Sequence, residues 1–497
     1  MKKIFILLFL CVVLTSCASD SKNQSENAKT DEVSDFQEDN IIINETIQNN
    51  SAYDDTGIFV SPSGDNQSGD GTIEKPYKTI QHVLDNIAQS GDTIILRKGT
   101  YNEEVRIRNP RITIRSKSDE WAKIAQPVTI DGNNVVIPVI FDVDSDGSKL
   151  QRIEVTGGFY GIMLFTKWEW GEDDRSGATD IVIEDCIIHD TGVDAIKVTP
   201  GSDNLIIRHC EIYNSGAGYP AGTPLEDMNA EGIDVVNADN VLIQDNYIHH
   251  TATTCVYLKG GARNGVIERV KAEHCGALGI VLGFDTSPEW FDLTENPDYY
   301  ENINSIVRNN IVSDTNYAGI GLYASKNAQV YNNTIVNTAK LAHSPIYFGL
   351  TYQDWDDNAK RPGNINPIIK NNIVLQEEDI NSPCVSIRYS DDLGGMSALN
   401  GDVLMDYNVY YRASGSCTFV DMRPGSLLED ASFATWRGHI KGEANSMETD
   451  PMLNDSYHLT QGSPSIDKGE SIDLVAFDID GNARTGLYDI GADEFEK

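Results

Sequence analysis

The chain has 497 residues, 76 of them acidic and 38 basic, for a formal charge of −38. An acidic excess of this size excludes a nucleic acid bound through phosphate neutralisation. Eight cysteines with no CxxC pair disfavour zinc. Lys2 and Lys3 open the chain, followed by an apolar run from Ile4 to Leu14 and then Thr15-Ser16-Cys17. These are the charged, apolar and small-residue regions of a secretory signal, and the run is too short to span a bilayer. From Ala18 to Thr56 the chain is polar, with ten acidic residues against Lys22 and Lys29. Such a stretch cannot bury enough apolar surface to fold and reads as a tether.

The Leu-Thr-Ser-Cys ending resembles the bacterial lipobox, which implies that Cys17 carries the lipid of an exported lipoprotein at the outer membrane or cell surface. With Cys11 leaving in the signal, six cysteines remain. Cys186, Cys210, Cys255 and Cys275 fall at repeat positions that predict burial, so free packed thiols are expected there.

Between Gly57 and Ile107, Ile80, Val83, Leu84 and Ile87 form one apolar helical stripe. Beyond it a short motif recurs: Tyr160-Gly-Ile-Met-Leu, Asp194-Ala-Ile-Lys-Val, Glu231-Gly-Ile-Asp-Val, Thr254-Cys-Val-Tyr-Leu, Leu278-Gly-Ile-Val-Leu, Ala318-Gly-Ile-Gly-Leu and Ser344-Pro-Ile-Tyr-Phe. A second motif alternates with it, its third position reading Cys186, Cys210, Asn246, Asn310, Asn333 and Asn372. Compact repeats measure 24 and 23 residues, and longer ones carry an inserted loop. Each strand alternates an inward Ile, Val or Leu with an outward polar residue and is too short to stand alone, so stacking must bury it.

The fold expected is all-β, a right-handed parallel β-helix whose open end is covered by the amphipathic helix. The expected divisions are 1–17 signal, 18–56 tether, 57–385 capped coil, and 386–497 final coils and closing segment. A monomer is expected.

Aligning the strands places Met163, Lys197, Asp234, Tyr257, Val281, Gly321 and Tyr347 in one outward column. Phe165, Thr199, Val236, Lys259, Gly283, Tyr323 and Gly349 form the next. Insertions at 213–231, 283–305 and 338–366 leave from nearby coils and wall a groove.

The segment Phe59-Val-Ser-Pro-Ser-Gly to Gly91-Asp-Thr-Ile-Ile-Leu-Arg-Lys-Gly-Thr-Tyr resembles the start of β-helix carbohydrate-active proteins, including pectate-lyase-like families. The stretch from Asp450-Pro-Met-Leu to Asp478-Ile-Asp-Gly-Asn-Ala-Arg resembles their closing segment. Asn229-Ala-Glu-Gly-Ile-Asp234 resembles the Asn-Ala-Asp-Gly segment of family 9 pectate lyases, with Glu231 where that family has an acidic calcium ligand. The Asp-Asp-Gly-Trp-Asp run common there is absent, and Ala277-Leu-Gly-Ile-Val stands in its place.

The resemblance implies a carbon–oxygen lyase that eliminates across C4 and C5 of a uronic acid in an acidic polysaccharide or oligosaccharide. It acts either within the chain or as a terminal-uronate dehydratase. The chain also resembles lipoproteins of algal-polysaccharide utilisation systems, among them a dehydratase of ulvan oligosaccharides.

Elimination needs a cation at the uronate carboxylate and a positioned base. Lys259 is the first candidate base, because its column neighbours Val236 and Gly283 offer no acid to raise its pKa. Lys197 faces Asp234 and reads more readily as an ion pair. Glu231, Asp234 and Asp285 are the candidate calcium ligands. Tyr257 and Tyr323 are candidates to protonate the leaving oxygen or stack on sugar, and His343 with Tyr347 forms a second acid/base pair. Arg263 is a candidate carboxylate binder, and Trp290 and Trp355, with Trp168 and Trp170, are candidate sugar platforms.

Two other readings stay open. One is a glycoside hydrolase using Asp234 and Asp285, roughly 10 Å apart by coil spacing. The other is a non-catalytic glycan-binding surface protein.

Overall fold

A computed structural model describes residues 53–167, 176–351, 361–377 and 380–496. The signal, Cys17 and most of the tether lie outside these residues. Three parallel sheets, each of twelve strands, run the length of the coil. One runs from Ile58–Val60 to Leu404–Asp406 and another from Gly99–Tyr101 to Met447–Glu448. The third runs from Val105–Ile107 to Phe419–Asp421 and closes with the antiparallel strand Leu428–Ala431.

The inward positions, Ile162, Ile196, Ile233, Val256, Ile280, Ile320 and Ile346 among them, are fully buried in one continuous core. Successive coils pair in register, so the first expected column exists as drawn: Met163 pairs with Lys197, Lys197 with Asp234, Asp234 with Tyr257 and Tyr257 with Val281, while of the second Val236 pairs with Lys259 and Tyr323 with Gly349. Where a buried polar side chain occupies the bend, it satisfies its neighbours along the stack. Asn333 Nδ2 donates to Asn372 Oδ1 at 2.9 Å, and Asn372 Nδ2 to Asn408 Oδ1 at 3.1 Å.

The cysteine expectation holds for Cys186 and Cys210, which are buried and free. It fails for Cys255 and Cys275, which are disulfide-bonded, as are Cys384 and Cys417. Consecutive coils bring the Cys255 and Cys275 Cα atoms to 5.5 Å, a separation a disulfide spans.

The first open end is covered by the helix Ile80–Asn86, which buries Ile80, Val83 and Leu84. Folded contacts begin before residue 57, however. Tyr53 donates its hydroxyl to Asp185 at 2.6 Å, and Asp55 accepts from Ser118 and pairs with Arg115 at 3.0 Å, so the end of the acidic segment is fastened to the coil.

At the far end the cover is the helix Phe433–Ile440. It lays Phe433 and Trp436 against Phe419, with Phe433 also on Tyr410. The stretch that resembles a closing segment instead returns along the flank. There Gly491 N donates to Asn371 O, Ala492 N to Thr334 Oγ1 and Arg484 Nη2 to Asn309 Oδ1.

Glu443, fully buried, ends the asparagine stack and accepts from Tyr410 at 2.6 Å and from Asn408 Nδ2 at 3.1 Å. Burial pushes its carboxyl from 4.5 up to about 7. A raised carboxyl favours folding while protonated, so this contribution is present below pH 4.5 and lost as pH climbs through about 7. Urea titrations are expected to show Glu443→Gln flattening the pH dependence of stability across that window, by about 3 kcal/mol.

Candidate active site

The strand Ile233–Val236 lies between Ile196–Val198 and Val256–Lys259. Asp234 is therefore stacked directly on Lys197, and the two form an ion pair. Lys197 also lies 3.4 Å from Asp194. Lys259 was expected to have no acid nearby. The structure corrects this: its ammonium reaches diagonally across the sheet to Asp234 Oδ1 at 3.2 Å and rests 4.6 Å from the centre of the Tyr257 ring. In-register alignment overlooks such diagonal partners, which long side chains reach easily.

Asp194 and Glu231 sit at the bends that lead into successive strands, and Glu231 N donates to Asp194 Oδ1 at 3.1 Å. Asp194 and Asp234 are fully buried and Glu231 is 5% exposed. What exposure the cluster keeps lies mostly on the side chains of Lys197 and Lys259.

Burial alone would raise Asp234, but Lys197 and Lys259 outweigh it and hold the carboxyl below its ordinary value. Burial and the neighbouring Asp194 push Glu231 well up. Burial opposes charge on both lysines, yet Asp234 outweighs it and raises each, Lys197 most. Burial pushes the Tyr257 phenol well up and keeps it protonated.

The carboxylates of Asp194, Glu231 and Asp234 bring oxygens within 4.8 Å of one another. Asp194 Oδ2, Glu231 Oε2 and Asp234 Oδ1 are buried, the first 3.4 Å from the Lys197 ammonium and the last 3.2 Å from that of Lys259. Two of them face an ammonium, and Glu231 Oε2 faces neither. Three hard, partly unsatisfied oxygens suit a divalent cation such as calcium.

Asp285 is not in this set. The chain leaves the coil at Gly283, at φ 94°, and carries Asp285 to the Tyr257 side, where its charge raises the phenol. Asp194 takes the place expected for it. Asp194 occupies the same repeat position as Glu231, one coil below, and that alignment was the available signal.

The aromatic candidates form a wall. Tyr257, Tyr323 and Tyr347 are 3%, 3% and 5% exposed, so they are not open sugar platforms. Phe284, from the insertion after Gly283, lies 5.1 Å from Tyr257 and 5.2 Å from Tyr323 and closes over them. His343 stacks on Tyr347 at 4.0 Å, and burial, reinforced by Arg388, pushes its imidazole down to about 4. Arg263 pairs with Asp239 at 3.1 Å and Glu295 at 3.4 Å, so its guanidinium is already engaged by protein carboxylates. Trp290 is half-buried in the turn Pro288–Trp290, and Trp168, Trp170 and Trp355 lie outside the described residues.

One feature escaped the sequence entirely. Fully buried Glu301 accepts from Gly260 N at 2.8 Å, Thr286 N at 3.0 Å, Thr286 Oγ1 at 2.7 Å and Arg361 Nε at 2.8 Å. This pair fastens two insertions to the residue that follows Lys259. Nothing periodic marks the pairing of two loop residues from separate insertions.

The right-handed β-helix region family matches residues 33–223 and 221–378. An uncharacterized protein of Bacillus subtilis (strain 168), YwoF, is 23% identical, covering 82% of this chain and 92% of its own. Among solved structures, pectate lyase Pel9A superposes with a TM-score of 0.50 at 12% identity, covering 88% of this chain and 96% of its own. The GH136 lacto-N-biosidase from Eubacterium ramulus does so with a TM-score of 0.50 at 14% identity, covering 74% and 67%. At these identities the structural likeness is one of fold, and a lyase and a glycosidase share it. By the span of the family match, the chain belongs to the right-handed parallel β-helix family.

Proposed function

We propose that the chain is a carbon–oxygen lyase that eliminates across C4 and C5 of a uronic acid in an extracellular glycan, tethered as a lipoprotein through Cys17. The observation that carries this reading is the joining of two partly accessible ammoniums to three buried carboxylates in one register of the coil.

Asp194, Glu231 and Asp234 would hold calcium, which when bound would supply positive charge for the uronate carboxylate and, by like charge, would lower the proton affinity of Lys259. Lys197 binds and orients the same carboxylate. Lys259 Nζ takes the C5 proton and the C4–O bond breaks as the C4–C5 double bond forms, the departing oxygen taking its proton from solvent. Tyr257, sealed beneath Phe284, backs the Lys259 ammonium instead of meeting the sugar. Phe284 and the wall behind it limit water at the reacting carbons.

A protonated acid beside a carboxylate, Glu231 beside Asp194, favours hydrolysis as the second reading. Their oxygens, however, lie closer than the about 5 Å of a retaining pair.

Incubation with saturated uronate oligomers and calcium is expected to give an unsaturated, ultraviolet-absorbing product, or loss of water from a terminal uronate by mass. A chelator should suppress the reaction and added calcium restore it. New reducing ends without absorbance would establish hydrolysis instead, and binding without turnover would establish a glycan-binding protein.

A further inference from the structure

Most arginines on the coil are matched by a carboxylate, as the Arg208–Glu184, Arg263–Asp239 and Arg269–Asp245 pairs show. Arg388 is an exception. Among the described residues no carboxylate lies within ion-pair distance of its partly exposed guanidinium, whose side-chain contact is Met422 Sδ at 3.6 Å.

Two acids close to it, Asp391 on the following turn and Asp421 opposite Ile387 on the next coil, are engaged elsewhere. Asp391 accepts from Tyr389 at 2.7 Å, and Asp421 is held by Arg423 at 2.7 Å and His439 at 2.9 Å. One coil below stands His343, stacked on Tyr347, which pairs in register with Ser386. Its Nδ1 is buried without a hydrogen-bond partner. Burial and Arg388 both disfavour its cation, and no carboxylate offsets them. In a chain of net charge −38, a guanidinium and a buried imidazole nitrogen that meet no acid among the described residues mark a place built for an incoming anion.

Its position relates it to the candidate site. Val236 pairs with Lys259, Tyr323 with Gly349, and Phe348 with Ile387, so Arg388 stands in the column of Lys259, four coils on. At the spacing of parallel strands that is about 19 Å along the coil axis. Tyr323 lies between, its ring over Gly349, where a Cβ would meet it at 1.9 Å.

We infer that Arg388, with His343, forms a second anion-binding subsite that takes a carboxylate or sulfate ester further along the same glycan. The substrate is therefore an oligomer long enough to carry two anionic groups about 19 Å apart. This deepens the lyase reading and rests on it for the direction of the bound chain.

The test is calorimetric binding of a saturated uronate hexamer and a dimer to the full chain and to R388A, with R388Q as a second variant and thermal midpoints as a control for folding. Loss of the arginine should weaken the hexamer about ten- to hundredfold and leave the dimer unchanged. Unchanged hexamer binding, or an equal loss for both lengths, overturns the inference. Sulfated and unsulfated hexamers in parallel identify the anion: an Arg388-dependent gain confined to the sulfated chain assigns sulfate, and an equal dependence assigns carboxylate. Because binding is read without turnover, an inactive protein whose hexamer affinity still depends on Arg388 keeps the subsite and removes the lyase. An active protein indifferent to R388A does the reverse.

Discussion

Lys259→Met should lower kcat on uronate oligomers by about a hundred- to ten-thousandfold, the range supplied by one positioned acid or base. Its folding stability should change little, because Asp234 keeps its ion pair with Lys197. Lys259→Arg should be as inactive, since a guanidinium cannot give up its proton in the working range.

The pH dependence has a defined sign. Asp234 raises Lys259, so the free base is scarce at neutral pH, and kcat/KM should climb about tenfold per pH unit as Nζ deprotonates. Like charge from calcium should move the climb to lower pH, and a chelator should move it back. A variant in which arginine retains full activity would falsify the assignment of Lys259 as base.

The second large effect concerns stability. Glu301 and Arg361 are both without exposed side-chain surface, and removing one partner strands a buried charge. Arg361→Met should cost about 3–5 kcal/mol in urea unfolding. The double change Arg361→Met with Glu301→Gln should recover much of it, since no charge is then left alone. Because Glu301 also holds Gly260 N, the single variant should lose turnover even at temperatures where it stays folded. If the single and double variants unfold alike, the pair is not what fastens the insertions.

The coil and its register were legible in the residues alone. In a solenoid each coil touches its neighbours only, so a 23- or 24-residue repeat maps directly onto spatial neighbours. That is why Lys197, Asp234 and Tyr257 could be stacked by aligning the recurring motif across an inserted loop, and why the inward Ile and Val positions named the core. The same one-dimensional logic placed the Asn333 and Asn372 stack.

It stops where contacts leave the column. The diagonal reach of Lys259 to Asp234 depends on side-chain length, and the sealing of Tyr257 and Tyr323 depends on where the insertion after Gly283 folds. The exchange of Asp285 for Asp194 depends on a backbone turned aside at Gly283. The Cys255–Cys275 bond needed two buried thiols to meet, which burial in the repeat does not by itself announce. Glu301 and Arg361 belong to loops that obey no period, and the repeat gives Arg388 its column but not the want of an acid around it among the described residues.

Repetition therefore carried the architecture and the face on which chemistry sits. The electrostatic state of that face came from packing, because charge responds to every group within a few ångströms, whichever coil or insertion supplies it.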